Sequence, residues 1–357
     1  MVARDLPETP FLVLDLEVFE RNVALLAHTI ISQGGKLWRP HIKAIRAPAL
    51  ALRLIAAGAS GVTCATITEA ETMVAAGIHE VLIASPVVAP GQLQRLVALS
   101  RQARVIASVD APEHLALLAA AARAAGTRMA VVVEVDVGLK RSGVAPGEAA
   151  VTLARAAAAN PALQFCGLMA WEGQTTRIAD PAAKQAAIRI AVGLLTDSAH
   201  RCREAGLSVE IVSCGGTGTY TITSTLPGVT ELQAGGGVFG DLRYRTEFHM
   251  PLEQALALRA TVLSRPTARR VVCNAGWRYL GVYPTLSRAM NLPGEVRVVP
   301  AAEHLTLDCD RDVVEFAVGD RIDLAVGYSD STVFLHRELF AVRQGVVEEV
   351  LQIPASV

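Results

Sequence analysis

Short apolar runs alternate with longer Ala- and Leu-rich stretches through the first two thirds of the chain. Eight β-prone runs predict strands, at 36–40, 61–65, 81–85, 104–109, 129–136, 165–171, 209–214 and 230–234. Most of the stretches between them have helical periodicity, as at 45–58, 68–77, 90–102, 112–125 and 146–159. Continuous apolar strands predict a parallel sheet buried on both faces, and eight such units favour a closed (β/α)8 barrel over an open doubly wound sheet.

The pattern changes after about residue 250. Short β-prone segments follow one another at 258–264, 269–274, 295–300, 304–308, 321–326 and 332–335. Turn residues separate them at Arg265-Pro266, Leu292-Pro293-Gly294 and Val318-Gly319-Asp320, and Gln344-Gly345 predicts a hairpin in the last run. The sequence therefore predicts a separate all-β domain after the barrel.

Composition and charge exclude several classes of partner. The 357 residues carry a formal net charge of −1, with no run of like charges and no basic stripe among aromatic residues. Nucleic acid and anionic membrane surfaces are therefore not expected partners. The six cysteines form no CxxC pair, which argues against a disulfide framework or a zinc knuckle and favours a cytoplasmic location. The N-terminus lacks an apolar signal core, and no apolar run is long enough to span a bilayer.

Lysine is scarce, so the candidates for covalent lysine chemistry are few. The four lysines are Lys36, Lys43, Lys140 and Lys184. The run 36–43 predicts a strand, and side-chain alternation puts Arg39, His41 and Lys43 on one of its faces. Such a face suits an anionic or carbonyl-bearing ligand better than an apolar core, which makes Lys43 the leading candidate.

Two glycine clusters follow the seventh and eighth predicted strands. In a barrel of this type, phosphate is commonly held at these two strand ends by backbone N–H groups. The candidate phosphate-binding residues are Gly216, Thr217, Gly218, Gly235 and Gly236. The first strand adjoins the eighth in a closed barrel, so Lys43 is either a phosphate counter-ion or a Schiff-base amine. The alternative is that the glycines only form tight turns.

Two further strand ends carry candidate ligand-binding residues. Arg141 follows the fifth strand, at a position from which it could contact a phenolate or carboxylate of a ligand. The alternative is that Arg141 is an ordinary loop arginine. Trp171 ends the sixth strand beside polar residues, and either faces the ligand or packs in the core.

These motifs, in this order, resemble the D-threonine aldolase / D-serine dehydratase family of pyridoxal-phosphate enzymes, which has the alanine racemase-type fold. The resemblance covers nearly the whole chain. The matching motifs are Thr9-Pro10-Phe11-Leu12-Val13-Leu14-Asp15-Leu16, Arg39-Pro40-His41-Ile42-Lys43, Glu134-Val135-Asp136-Val137-Gly138, Cys214-Gly215-Gly216-Thr217-Gly218-Thr219 and Gln233-Ala234-Gly235.

The resemblance implies pyridoxal 5′-phosphate fold type III. It implies a cofactor-binding (β/α)8 barrel at 16–249 and a β domain formed by 1–15 plus 250–357. Lys43 would carry the internal aldimine, with Arg39, Arg141, Trp171 and the phosphate-binding residues around the cofactor. The substrate would be a small amino acid. A homodimer is expected, in which the β domain of one chain closes the barrel mouth of the other.

The chain departs from the family at the C-terminal metal pair. Family members that degrade D-3-hydroxy amino acids carry a histidine and a carboxylate or cysteine there, whereas this chain has Tyr328 and Asp330. Asp330 is then the single candidate ligand for a divalent Mn, Mg or Zn ion, because tyrosine at its ordinary pKa is a poor ligand. An aromatic hydroxyl expected after the second glycine pair is replaced by Gly237.

Three reactions compete on this cofactor. Hydroxide is a poor leaving group that a metal would assist, so the missing histidine counts most against a D-serine or D-3-hydroxy amino acid dehydratase. An amino acid racemase would use Lys43 and Tyr328 as its two bases. The favoured hypothesis is a D-3-hydroxy amino acid aldolase that cleaves Cα–Cβ, with Lys43, Tyr328 and His41 as catalytic residues and Tyr328 as base if its pKa is lowered. A non-catalytic pyridoxal phosphate-binding protein is the alternative from another class.

Overall fold

A computed structural model describes residues 8–292 and 294–355 of the chain. Two sequence predictions fall partly outside these ranges, namely residues 1–7 and 356–357 of the predicted β domain and Pro293 of a predicted turn. The described chain divides into two compact units. The barrel unit comprises Leu25–Lys43 and Pro48–Gly235, and the β unit comprises residues up to Ala24, Ala44–Ala47, and those from Gly236 onward.

The elements are numbered in chain order. The strands are β1 (Phe11–Asp15), β2 (Leu37–Trp38), β3 (Val62–Cys64), β4 (Glu80–Ile83), β5 (Arg104–Val109), β6 (Met129–Glu134), β7 (Leu163–Met169), β8 (Ile211–Cys214), β9 (Glu231–Leu232), β10 (Leu256–Thr267), β11 (Arg270–Cys273), β12 (Arg288–Ala289), β13 (Val296–Pro300), β14 (Leu305–Cys309), β15 (Arg321–Ala325), β16 (Glu338–Arg343) and β17 (Val346–Gln352). The α-helices are α1 (Leu16–Ala27), α2 (Pro48–Ala56), α3 (Ile67–Ala75), α4 (Pro90–Leu99), α5 (Pro112–Ala124), α6 (Glu148–Ala159), α7 (Pro181–Glu204) and α8 (Tyr220–Thr223). Short 3₁₀ helices lie at Gly173–Thr175, Gly236–Phe239, Ser329–Ser331 and Val333–Leu335, and π-helices at His28–Gln33 and Arg243–Glu247.

The barrel unit contains one parallel sheet of eight strands, ordered β2-β9-β8-β7-β6-β5-β4-β3. A parallel bridge between His41 and Thr63 joins its two ends, so the sheet closes. The N–H of Thr63 donates to Pro40 O, and the N–H of Ile42 donates to Thr63 O, both at 2.9 Å. The predicted α/β barrel is therefore confirmed, and its eight strands lie within the eight apolar runs or one or two residues from them.

Burial on both faces explains why these strands lack the alternation of half-exposed sheets. Every residue of β6 is buried, and its sequence is almost entirely aliphatic. The helices cover the sheet with one apolar side each. In α3 the start is fixed by a capping threonine, since Thr66 Oγ1 accepts from the N–H of Glu69 at 3.2 Å. In α7 the N-cap Asp180 accepts from the N–H of Ala183 at 2.7 Å.

The β unit is a mainly antiparallel sheet ordered β13-β14-β11-β10-β1-β16-β17, with β15 paired to β10 and β12 paired to β15. The predicted hairpin is present, because Gln344 and Gly345 both have positive φ between β16 and β17. Two predictions were wrong here. Arg265-Pro266 lies inside β10 rather than in a turn, and the predicted strand at 332–335 is largely the 3₁₀ helix Val333–Leu335. Strand β12 was not predicted.

Among residues 8–292 and 294–355, no helix combines the length and the apolar character needed to cross a membrane.

Candidate active site

The predicted site residues fall in both units. In the barrel unit, Lys43 is exposed and follows β2, whose residue Trp38 pairs with Leu232 of β9. Its backbone N–H donates to Nδ1 of His41 at 3.3 Å. A Cβ atom at Gly235 would lie 2.1 Å from the carbonyl oxygen of His41, so only glycine fits there. Lys43 and the second glycine turn therefore meet at the C-terminal ends of neighbouring strands.

The surroundings of His41 favour its neutral form. Burial lowers the pKa of its imidazole well below the ordinary value, and the positive charges of Lys43 and Arg141 lower it further. The neutral ring suits a proton carrier or a packing partner for a flat ligand better than a second cation. His41 therefore remains a candidate site residue, as the sequence suggested.

The first glycine turn follows β8 and packs against Trp171. A Cβ atom at Gly216 would lie 2.4 Å from Cη2 of Trp171, so glycine is required at this position. Gly215 adopts a φ of +78°, which also favours glycine. Thr217 is buried, and Gly218 lies in the same turn. The indole of Trp171 thus supports the turn from one side.

Sequence reasoning missed Glu172, which holds the same turn. Its side chain is fully buried. Its Oε1 accepts from the hydroxyls of Thr219 at 2.7 Å and Thr223 at 2.9 Å, and its Oε2 accepts from the N–H of Gly215 at 3.2 Å. The signal was available, because an acidic residue at the end of an apolar strand is unusual, but its partners lie more than forty residues away.

Arg39, predicted to bind the cofactor, has protein partners in this structure. Arg39 is buried, and its Nε donates to both oxygens of Glu231 at 3.1 Å, while Nη1 lies 3.6 Å from Glu80. Glu231 and Glu80 are the first residues of β9 and β4, so the guanidinium faces the N-terminal ends of the strands. Alternation placed Arg39 on the same face as Lys43, but the side chain turns toward the opposite end of the barrel, where acids neutralise it.

Arg141 lies in the loop after β6 and is more than half exposed. Its Nη2 lies 3.8 Å from Oε1 of Glu134, the last residue of β6. Ser142 donates to the same carboxylate oxygen at 2.9 Å. Burial raises the pKa of the Glu134 carboxyl, with partial compensation from Ser142 and Arg141. The Arg141 guanidinium is thus available to a ligand at the strand ends, and it is close enough to influence His41.

In the β unit, Tyr328 donates its hydroxyl proton to Oδ2 of Asp330 at 2.7 Å. Burial raises the pKa of Tyr328 well above the ordinary value, and the charge of Asp330 and the hydrogen bond to it add to this effect. The condition set for Tyr328 as an unaided base, a lowered pKa, is therefore not met. The guanidinium of Arg243 lies 4.9 Å from the centre of the Tyr328 ring. Its positive charge lowers the pKa of Tyr328, but by less than burial and Asp330 raise it.

A second residue that sequence reasoning missed fixes the segment carrying Tyr328 and Asp330. Asp241 is fully buried, and its Oδ2 accepts from the N–H and the hydroxyl of Ser329, at 2.8 and 2.7 Å. Its Oδ1 accepts from the N–H of Tyr244 at 3.1 Å. Burial raises the pKa of the Asp241 carboxyl to about 7.

Tyr244 provides an aromatic hydroxyl next to the second glycine cluster. A Cβ atom at Gly236 would lie 2.8 Å from the Tyr244 hydroxyl oxygen and 3.4 Å from Oδ1 of Asp330. The Tyr244 and Tyr328 rings pack edge to face with centroids 6.0 Å apart. Burial raises the pKa of Tyr244 well above its ordinary value, and the charge of Asp330 raises it further. The family resemblance led us to expect such a hydroxyl at position 237, where this chain has glycine, and Tyr244 follows seven residues later.

The residues at 328–330 do not fit a divalent metal. Within the described ranges, no group of three or more His, Cys, Asp and Glu side chains is arranged to hold a metal ion. The phenol of Tyr328 keeps its proton and gives it to Asp330 as a hydrogen bond, so it is not a metal ligand in this form.

The geometry is that of an α/β barrel enzyme of the alanine racemase type. Residues 14–243 match the family model described as alanine racemase, N-terminal domain, and residues 255–342 match the putative serine dehydratase domain. The chain belongs to the D-threonine aldolase / D-serine dehydratase family that its motifs indicated.

Three curated relatives and one solved structure make the kinship more specific. D-threonine aldolase from Arthrobacter sp. is 34% identical over 98% of this chain and 92% of the relative. 3-Hydroxy-D-aspartate aldolase from Paracoccus denitrificans is 31% identical over the same shares of both chains. D-threo-3-hydroxyaspartate dehydratase from Delftia sp. is 33% identical over 76% of this chain and 72% of the relative. The crystal structure of D-threonine aldolase from Filomicrobium marinum superposes with a TM-score of 0.93, at 33% identity over 97% of this chain and 95% of that one.

Proposed function

We propose that this protein is a pyridoxal phosphate-dependent D-3-hydroxy amino acid aldolase. The full-length relatives named as aldolases support this activity. The structural observation that carries it is the position of Lys43 beside glycine turns that admit no side chain. A lysine amine and glycine turns that allow close approach to the backbone, both at the C-terminal end of a barrel, are what a phosphorylated aldehyde requires.

The barrel residues fit this cofactor. Lys43 would hold it through its amine, the turns containing Gly216 and Gly235 would take its phosphate, and Trp171, Arg141 and the neutral His41 would lie around it. Gly216 would let the phosphate approach the backbone closely but would not donate its N–H to it. That N–H already donates to Thr219 Oγ1 at 3.1 Å. When bound, pyridoxal phosphate supplies an electron-accepting ring that stabilises negative charge left on Cα after a bond breaks.

The proposed reaction requires a proton acceptor for the substrate. The β-hydroxyl loses its proton, the electrons of the Cα–Cβ bond move to Cα, an aldehyde leaves, and Cα takes a proton. We assign the acceptor to the Tyr328–Asp330 pair, since a phenol that already donates to a carboxylate is able to pass a proton on to it as it accepts another. This assignment replaces the hypothesis of Tyr328 as an unaided base.

A dehydratase is the second candidate, because one relative is named as a dehydratase. Proton NMR of the purified protein with pyridoxal phosphate and D-threonine in heavy water separates the reactions. Glycine and acetaldehyde are expected, with or without added manganese. 2-Oxobutanoate would instead establish a dehydratase, and α-deuterium exchange alone a racemase. If the protein binds the cofactor but converts none of several D-3-hydroxy amino acids, a non-catalytic binding protein would be favoured.

Lys43 is tested separately from the reaction. Lys43→Ala is expected to lose the visible absorption band of the lysine-bound cofactor and to lower turnover by roughly 10³-fold or more, because the covalent step has no substitute amine. Lys36→Ala, at the other end of the same strand, is the control and should keep both. An unchanged band in Lys43→Ala would remove Lys43 from the site.

We also propose a cytoplasmic homodimer. All six cysteines are buried free thiols, which suits a reducing compartment. The β unit exposes three large aromatic side chains, with Trp277 53%, Tyr283 75% and Phe334 47% exposed, and a second copy of the chain would cover such residues. Light scattering after gel filtration should give twice the mass of the chain, and a monomeric mass at micromolar concentration would contradict the dimer.

A further inference from the structure

The glycine turn after β8 is tied at three points to one buried carboxylate. Glu172 binds the N–H of Gly215 at the start of the turn, the hydroxyl of Thr219 at its end and the hydroxyl of Thr223 in α8 beyond it. The two ends of the turn are therefore joined through a single side chain, and that side chain is fully buried behind the turn.

Glu172 also controls the direction of a second hydrogen bond. The hydroxyl of Thr219 accepts from the N–H of Gly216 at 3.1 Å while it lies 2.7 Å from Oε1 of Glu172. A hydroxyl has one proton, and the carboxylate is its stronger acceptor, so the proton points to Glu172 and a lone pair faces Gly216. Glu172, Thr219 and Gly216 thus form a chain of hydrogen bonds with a fixed direction.

A glycine-rich turn needs such fixation more than other loops do. Glycine loses more conformational freedom on ordering than any other residue, and a ligand that must order the turn binds more weakly. The Trp171 indole blocks movement of Gly216 on one side, and the Glu172 carboxylate anchors the turn on another. Two consecutive residues of one strand end thereby fix the turn before any ligand arrives.

We propose that Glu172 is a positioning residue for phosphate recognition, which holds the turn 215–219 in the conformation that receives the cofactor phosphate. The inference rests on the proposed function in that the ligand is phosphorylated. It assigns to Glu172 no contact with the cofactor and no part in bond breaking. Its effect should appear as a preference for phosphorylated over unphosphorylated ligand.

The experiment compares pyridoxal phosphate with pyridoxal, which lacks the phosphate. Full-length apoprotein is titrated with each, followed by tryptophan fluorescence and visible absorption, and the ratio of the two Kd values gives the phosphate preference. In Glu172→Ala the preference should fall at least tenfold, with the Kd for pyridoxal changed less than twofold. Glu172→Gln, which keeps an acceptor oxygen and the shape, should retain the preference within about threefold, because the threonine hydroxyls are able to rotate to match it.

A second buried glutamate of the barrel provides the matched control. Glu231→Gln also alters a buried carboxylate of this unit, but at the strand starts beside Arg39, so the phosphate preference should not change. If Glu172→Ala does not fold, Thr219→Val removes the bonded hydroxyl and Thr219→Ser restores it, and only Thr219→Val should lose the preference. An equal loss of affinity for both ligands would make Glu172 merely structural and overturn the inference, as would an unchanged ratio.

Failure of the proposed function is distinguishable from failure of this inference. If the wild-type protein binds no pyridoxal phosphate, the proposed function fails, while titration with inorganic phosphate still examines the turn. Weaker phosphate binding in Glu172→Ala than in the wild type would then support the role of Glu172. Equal binding, or no phosphate binding by the wild type, would overturn it.

Discussion

The two groups of candidate site residues are held in place by different means. In the barrel unit, Gly216 packs against the Trp171 indole and Gly235 against the backbone of His41, both so tightly that a methyl group has no room. In the β unit, the segment 328–330 is fixed by side chains bound to one another, Tyr328 to Asp330 and Ser329 to Asp241. The first arrangement depends on the absence of a Cβ atom at the glycines themselves, and the second depends on the chemical identity of the bonded side chains.

This difference determines what each region tolerates. A close-packed glycine turn should lose much of its stability when a single carbon atom is added. A hydrogen-bonded network should instead lose function or stability in steps as single groups are removed. It also determines what a sequence reveals. Clustered glycines at strand ends are a local signal, while Ser329 and Asp241 are 88 residues apart and no local pattern joins them.

The largest effect is expected from Gly235→Ala. The added Cβ would lie 2.1 Å from the carbonyl oxygen and 2.7 Å from the nitrogen of His41, both of which are backbone atoms in the strand that closes the barrel. Backbone in a closed sheet cannot move aside as a flexible side chain does, so a loss of about 3 kcal/mol or more in unfolding free energy is expected. Urea denaturation followed by circular dichroism measures it.

Gly193→Ala is the matched control for that substitution. Gly193 lies within α7, and no atom lies within 4 Å of its would-be Cβ beyond the helix itself. Alanine is favoured over glycine inside a helix by roughly 0.8–1 kcal/mol, so this variant should be as stable as the wild type or more so. If Gly235→Ala proved as stable as Gly193→Ala, the account of the barrel turns as sterically closed would be wrong.

The fold was largely predictable, because burial on both faces leaves a strong signal in each strand. All eight predicted barrel strands are present, and the hairpin at Gln344-Gly345 follows from residues that accept positive φ. The two wrong predictions in the β unit come from local sequence patterns that tertiary structure overrides. The proline at 266 is accommodated in β10, whose pairing with β11 is irregular there, and the apolar run 333–335 forms a 3₁₀ helix.

The candidate site was only partly predictable. Lys43 and the glycine turns were found because strand ends and glycines are visible in a sequence. The acidic partners of Arg39 were not foreseen, because alternation gives the face of a strand but not the end toward which a long side chain points. Glu172 and Asp241 were missed because a buried acid acquires its role only from partners distant in the chain.

The next largest effect is expected from Tyr328→Phe, which tests the network in the β unit. The change removes the proton donor to Asp330 and should lower kcat by roughly 10²- to 10⁴-fold, the usual contribution of a positioned proton-transfer group. The cofactor absorption band and its Kd should remain as in the wild type, because Tyr328 is not proposed to hold the cofactor. Steady-state kinetics of aldehyde release and cofactor titration measure the two quantities.

A second buried phenol shows whether this effect is specific. The hydroxyl of Tyr220 is fully buried and has no hydrogen-bond partner among residues 8–292 and 294–355, and burial raises its pKa to about 12. Tyr220→Phe therefore removes a buried hydroxyl that forms no described hydrogen bond. The variant should keep the kcat of the wild type, with equal or slightly higher stability. Full activity in Tyr328→Phe would reduce Tyr328 to a structural residue and remove the proposed proton acceptor.

The smallest effect is a pH dependence of stability that originates at Asp241. Its carboxyl has a pKa of about 7 in the folded protein against about 4 for an exposed aspartate, because burial and the nearby charge of Asp330 disfavour the ionised form. The folded state therefore binds a proton more tightly than the unfolded state. The stabilisation is fully present below about pH 4 and is lost as pH rises through about 7.

Urea unfolding at pH 5 and pH 8 tests this sign. Between these values the wild type should lose roughly 2 kcal/mol of stability relative to Asp241→Asn, which has no proton to release. Ser329→Ala removes a hydroxyl whose hydrogen bond lowers the Asp241 pKa, so the decline should extend to higher pH in that variant. Parallel pH profiles for the wild type and Asp241→Asn would mean that Asp241 stays ionised, and the hydrogen bonds from Ser329 and Tyr244 would then outweigh its burial.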